Sequence, residues 1–261
     1  MDRIWVAPPF LEKCQSLGLR SSQDFARFFG MDGVGGKKSV ELRPGKIGDV
    51  PVFYKQYDYQ AGSWRYLGRK SKARREFLSY EMMERIGIRC ATRVACGERR
   101  DSLGRLQRAF VITVTIPDAM PLPQFLAATR ERVDAREVRK SVVLQMAKLA
   151  QMAHRGGFAH GDLWVRNILV NWEQGKPKVW WIDSPKGGKY RLLERMFQDL
   201  AALDKGGKDI FSCRERARFL KEYLTREDRK RLPRNLALRR KKWAREILKF
   251  RRQLEKLAGR K

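Results

Sequence analysis

Apolar positions along the chain change their period near residue 117. Before it, "QDFARFFG" (23–30), "KSVELRP" (38–44) and "VPVFYKQYDY" (50–59) alternate or concentrate β-branched and aromatic residues, with the Gly-rich "GMDGVGGKK" and the turn "PGKIGD" between them. This pattern predicts a meander of three antiparallel strands. "KSKARREFLSYEMMERIG" then places Phe77, Tyr80, Met83 and Glu84 on a helical period that Gly87 ends, and "RAFVITVTI" predicts a further buried strand. "PDAMPLP" breaks that strand and marks a hinge. Beyond it, "VRKSVVLQMAKLAQMAHRGG" puts Val142, Met146, Leu149 and Ala153 on one helix face, closed by Gly156 and Gly157. "NILVNW" and "VWWID", joined by "EQGKP", have the form of a hairpin. The expected architecture is α+β in two lobes: an antiparallel-sheet N-lobe over 1–116 and a mainly helical C-lobe over 117–261.

Composition narrows the class. A chain of 261 residues, 43% of them hydrophobic, can bury a substantial core. It has no run of about 18 apolar residues and no signal-like start, so a cytoplasmic protein is expected. The four cysteines show no CxxC pairing and lie near neither histidine in sequence, which argues against a zinc site or a disulfide framework.

A net charge of +29 calls for a polyanionic partner, and 20 Lys and Arg against 6 Asp and Glu fall between residues 211 and 261. Within that segment Trp243, Ile247, Phe250, Leu254 and Leu257 form one apolar stripe on a basic helix. Such a helix can pack on the C-lobe or lie on an anionic membrane surface. Nucleic acid is the weaker expectation, because no aromatic platform interleaves the charge.

The chemistry is concentrated in "HGDLWVRNILV" and "WWIDSPKGG". Phosphoryl transfer from ATP needs a carboxylate at the acceptor hydroxyl, oxygen ligands for Mg²⁺ and a lysine on the phosphates. His160-x-Asp162-x4-Asn167 resembles the catalytic loop of protein-kinase-like enzymes, and Asp183 stands where their second metal-binding Asp stands. Lys55 ends "VFYK", Glu76 lies on the following helix, and Gly33, Gly35 and Gly36 fall in the first Gly-rich turn, where backbone N–H groups can cover phosphates.

From about Lys37 to Tyr223 the chain resembles the lipopolysaccharide kinases, which have a small protein-kinase-like fold and phosphorylate Kdo or heptose sugars. The pieces that carry the likeness include "ARREFLSYEMMERIGIRCATRVACGE", "HRGGFAHGDLWVRNILV", "WWIDSPKGG", "QDLAAL" and "RARFLKEY". The resemblance implies Asp162 as catalytic carboxylate, Asn167 and Asp183 as Mg²⁺ ligands, Lys55 as the ATP phosphate anchor and Glu76 as its partner. It also implies Asp199 as a buried acid holding the loop and His160 as a packing residue.

Two departures from protein kinases matter. Ser184-Pro185 follows Asp183 where they have Phe-Gly, and Trp164 replaces the lysine that many carry two residues after the catalytic Asp. The short segment between Asp183 and Asp199 leaves little room for a peptide platform. These features imply a sugar kinase acting on a lipid-linked saccharide at the inner face of the cell membrane. The alternatives are a small atypical protein kinase, an aminoglycoside-type phosphotransferase, or a basic pseudokinase binding RNA or an acidic partner.

Overall fold

A computed structural model describes residues 1–32, 40–189, 193–224, 244–249, 251–253 and 255–256. The chain divides into two compact units, one made of Met1–Met82, Ala91–Ile116 and Ser184–Lys186, the other of Met83–Cys90, Pro117–Asp183 and Gly187–Lys261. The fold is α+β.

The first unit contains β1 (Asp2–Val6), α1 (Leu11–Ser16), α2 (Ser22–Phe28), β2 (Val40–Ile47), β3 (Val50–Ser63), β4 (Arg93–Arg100), β5 (Leu106–Val114) and α3 (Lys72–Ile86) up to Met82, the last turn of α3 falling in the second unit. All its strands pair antiparallel in the order β1-β4-β5-β3-β2. "QDFARFFG" is helix α2, not a strand. Ser21 and Asp24 form a reciprocal capping box that satisfies the first orphan N–H groups of the helix. Phe25 and Phe29, four apart, then share a face, with Phe25 4.9 Å from the Phe110 ring and Phe29 4.8 Å from Tyr54. "PGKIGD" is only partly a turn. β2 runs through Pro44 and Gly45, and the chain reverses at Gly48 and Asp49, with Gly48 at φ +61°. Pro44 is tolerated because β2 is an edge strand. α3 ends as a Schellman motif, with Ile88 N–H on Met83 O, Gly87 N–H on Glu84 O and Gly87 at φ +81°.

In the second unit β6 (Met120–Pro121), α4 (Leu122–Ala128) and α5 (Ala135–Arg155) lead into β7 (Phe158–Ala159), the hairpin of β8 (Ile168–Glu173) and β9 (Lys176–Trp181), β10 (Gly188–Lys189), α6 (Leu193–Gly207) and α7 (Cys213–Tyr223). α5 buries Val142, Met146, Leu149 and Ala153. The β8–β9 reversal uses Gln174 and Gly175 at φ 51° and 71°, the positive sign that a type I′ hairpin turn requires at both central positions.

Residues 244–249, 251–253 and 255–256 are helical. Ile247 is buried, and Arg251 Nη1 lies 3.1 Å from Asp204 of α6. The described part of this helix therefore packs on its own unit. Arg245, Lys249, Arg252 and Lys256 are all exposed, a basic stripe on its outer side. Trp243, Phe250, Leu254 and Leu257, the rest of the apolar stripe, lie outside the described residues. Among the described residues no helix is long and apolar enough to cross a membrane, and no two cysteines are bonded.

Candidate active site

The loop from His160 to Asn167 is held from behind by α6. Asp199, 1% exposed, accepts the His160 N–H at 2.6 Å on Oδ2 and the Gly161 N–H at 2.8 Å on Oδ1. Two amides on one buried carboxylate fix the loop's entry and offset part of the cost of burying the charge. His154 of α5 adds Nε2 at 3.4 Å from Asp199 Oδ2, and its Nδ1 lies 2.7 Å from the Tyr223 hydroxyl at the end of α7.

His160 is wholly buried, its ring edge-on to Trp181. Its Nε2 is 3.1 Å from the Ile182 carbonyl, which selects the tautomer that donates from Nε2. Burial pushes its pKa below the ordinary histidine value against the opposing pull of Asp199, Ile182 O, Asp162 and Asp183. The ring is thus packed inside the loop and bound to a carbonyl, an environment that favours its neutral form.

Leu163 and Val165 are buried and anchor the middle of the loop, and a 3-10 turn over Val165–Asn167 swings Asn167 back toward Asp162. Asn167 Nδ2 donates to Asp162 O at 2.8 Å and to Asp162 Oδ2 at 3.1 Å. Arg166 Nη2 approaches the same Oδ2 at 3.3 Å. Ile182 N–H donates to Asn167 O at 3.0 Å, tying the residue before Asp183 to the end of the loop. Asp183 sits at φ 59°, a left-handed conformation that costs a non-glycine residue energy and that structures keep mainly where function needs it.

In the first unit β3 and α3 build a second cluster. Lys55 Nζ lies 3.2 Å from Glu76 Oε2, with the Glu76 side chain 3% exposed. The Tyr57 hydroxyl donates to the same oxygen at 2.7 Å, and the Tyr80 hydroxyl reaches Oε1 at 3.4 Å. Tyr57 stands two residues from Lys55 on one strand face, and Tyr80 one helical turn from Glu76. Those two periods were the available signal for tyrosines that motif reading passes over. Gly33, Gly35 and Gly36 lie outside the described residues.

An antiparallel sheet bearing a half-buried Lys–Glu pair, together with a helical unit whose loop joins an Asp to an Asn five residues on, defines a protein-kinase-like fold. A sequence profile of the lipopolysaccharide kinase (Kdo/WaaP) family matches residues 59–223, and the chain belongs to that family. The lipopolysaccharide core heptose(I) kinase WaaP of Pseudomonas aeruginosa is 27% identical over 163 residues, or 59% of this chain. The match spans 60% of the length of that relative. A solved structure of WaaP in complex with acyl carrier protein shares the fold, with a TM-score of 0.69 and 22% identity over 98% of this chain and 99% of the other.

Proposed function

We propose that the protein is an ATP-dependent kinase that transfers phosphate to a sugar hydroxyl of a lipid-linked saccharide, such as Kdo or heptose of the lipopolysaccharide inner core. The observation that carries this reading is the Asp162–Asn167 loop clamped on Asp199 in a member of this family. Asp162 orients the acceptor hydroxyl and takes its proton. Lys55, aligned by Glu76, holds nucleotide phosphates, and Gly33, Gly35 and Gly36 supply backbone N–H groups over them. On this reading residues 1–116 bind the nucleotide and 117–261 carry the catalytic loop.

Asn167 and Asp183 would hold Mg²⁺. Asn167 spends its Nδ2 on Asp162, and its Oδ1 makes no hydrogen bond among the described residues, so a hard oxygen donor remains available. Together with the Asp183 carboxylate this set suits Mg²⁺, which is commonly held by one or two protein oxygens and the phosphates it accompanies. When bound, the ion offsets charge developing on the transferred phosphoryl group.

Only 15 residues separate Asp183 from Asp199, and α6 already begins at Leu193. So short a segment favours a saccharide over a peptide acceptor. The charge of +29 favours work at an anionic surface, at the cytoplasmic face of the membrane. An acyl carrier protein, the partner in the WaaP structure, is a further candidate.

The test is incubation with radiolabelled ATP, Mg²⁺ and total envelope lipid extract. Label is expected in the glycolipid fraction. Label confined to a protein would replace this reading with that of an atypical protein kinase.

A further inference from the structure

Three side chains on or against the loop after Asp162 have no part in the chemistry above. Trp164 and Arg166 follow it by two and four positions, and Lys205 comes from α6. The Arg166 side chain is 65% exposed where it meets Asp162, and its guanidinium carbon lies 5.3 Å from the centre of the Trp164 ring. Lys205 Nζ stands 5.8 Å from the same ring centre and has no carboxylate partner among the described residues.

The indole itself is fixed. A Cβ at Gly206 would come within 3.3 Å of Trp164 Cε3 and 3.1 Å of Val165 Cγ2, so α6 packs directly on the loop at this point. The cations are not fixed. Both lie toward the outer end of the roughly 6 Å range over which a ring attracts a cation, and an exposed ion pair such as Arg166–Asp162 contributes little in water. The result is a rigid aromatic wall with two weakly held positive groups on it, beside the carboxylate assigned to the acceptor.

We infer that Trp164, Arg166 and Lys205 form the acceptor subsite, and that it takes a sugar carrying a carboxylate or phosphate close to the hydroxyl to be phosphorylated. The inference rests on the kinase reading of Asp162. An indole covers the C–H face of a sugar ring, a guanidinium forks onto a carboxylate or phosphate, and an ammonium adds a point charge. The arrangement also discriminates. In the structure Arg166 and Asn167 share Asp162 Oδ2, and an anion on the acceptor draws the guanidinium away and removes one competitor for the hydroxyl proton at that carboxylate. A neutral sugar offers Arg166 no better partner and must compete with it for the carboxylate. The positive charge that many kinases place two residues after the catalytic Asp is thus moved to the acceptor side, on Arg166 and Lys205.

The test uses purified core lipopolysaccharide as acceptor in three forms: intact, dephosphorylated and carboxyl-reduced. Wild-type protein is expected to show an acceptor KM about tenfold or more higher for the form lacking the recognised anion, which also tells phosphate from carboxylate. Arg166→Ala and Lys205→Ala should each raise the KM for intact acceptor about tenfold and flatten the difference between forms, with Arg166→Lys recovering part of the loss. The ATP KM and the thermal melting profile should hold.

No transfer by wild type to any form would overturn the kinase reading, and this inference with it. Transfer by wild type that is indifferent to all three forms would overturn the inference alone. So would variants that raise the ATP KM and leave the acceptor KM alone, because the two cations would then serve the nucleotide.

Discussion

At the residue scale, Glu76 shows how much one buried charge organises. It is 2% exposed and draws Lys55, Tyr57 and Tyr80 onto its two oxygens. Tyr57→Phe removes a hydrogen bond to a charged group and should cost about 1.5–3 kcal/mol of stability. The ATP KM should rise as well, because Lys55 loses part of what fixes its partner; a urea titration and ATP kinetics check both. Asp162→Asn keeps an oxygen for Asn167 but removes the carboxylate proposed as the base. Transfer should fall by about 10²–10⁴-fold with ATP binding retained, and a near wild-type rate would reject that role.

His160 supplies a pH signature. Its native pKa lies below the unfolded value of 6.5 because burial penalises the charged ring. As pH falls through 6.5 the unfolded chain therefore takes up a proton that the native chain refuses. Stability is lost on that side with a slope of up to about 1.4 kcal/mol per pH unit. Urea midpoints between about pH 7.5 and 5 should fall less steeply in His160→Gln than in wild type. Equal slopes would mean that His160 does not hold its proton deficit in the native state.

At the element scale, strongly periodic segments such as α3 and α5 were legible in the sequence, and so was the β8–β9 hairpin with its Gly. α2 was not. Phe25 and Phe29 satisfy a strand-like cluster as readily as an i, i+4 face, and only the Ser21–Asp24 cap separates the two. In the site, the Lys55–Glu76 and Asp162–Asn167 pairings follow from motif spacing. The His154–Tyr223 contact joins residues 69 apart with no motif between them, so only the packing of α5 on α7 brings it into view.

Two substitutions test the packing of elements. A Cβ at Gly97 would strike the Phe110 ring and lie 2.6 Å from Ile4 Cδ1, so Gly97→Ala should cost about 1–3 kcal/mol through overpacking of β4. A chain ending at Leu232 loses the buried Ile247 and the Arg251–Asp204 pair. It should lose about 2–4 kcal/mol and tend to aggregate through the uncovered apolar side chains of α6 and α7. An unchanged urea midpoint would show that the last helix contributes nothing to the fold.

At the scale of the whole molecule, the packing of the last helix on its own unit leaves a basic outer side on which the membrane reading can be tested. Among the described residues the inner face is engaged by its own unit through Ile247 and Arg251, and the exposed side carries Leu248 among its basic residues, so charge is the main attraction this part of the helix offers a membrane. Arg245, Lys249, Arg252 and Lys256 recur at helical spacing on the outer side, and Arg214, Arg218 and Lys221 do the same on exposed positions of α7. Charge held only at a surface is screened within about 8 Å at physiological salt. Binding to vesicles containing anionic lipid should therefore be strong in low salt, be largely abolished in about 1 M salt, and be absent with neutral lipid at either. Reversing the four outer charges of the last helix to Glu should leave the melting temperature nearly unchanged, since all four are exposed and none of them pairs with a carboxylate among the described residues. At roughly 1 kcal/mol for each basic residue near the surface, the loss amounts to about 4 kcal/mol or more, on the order of a thousandfold in partition. A reversed variant that still floats with anionic vesicles as wild type does would move the attraction to α7 or elsewhere. Loss of binding with the fold intact would place the membrane against the outer face of a helix whose inner face holds the lobe together.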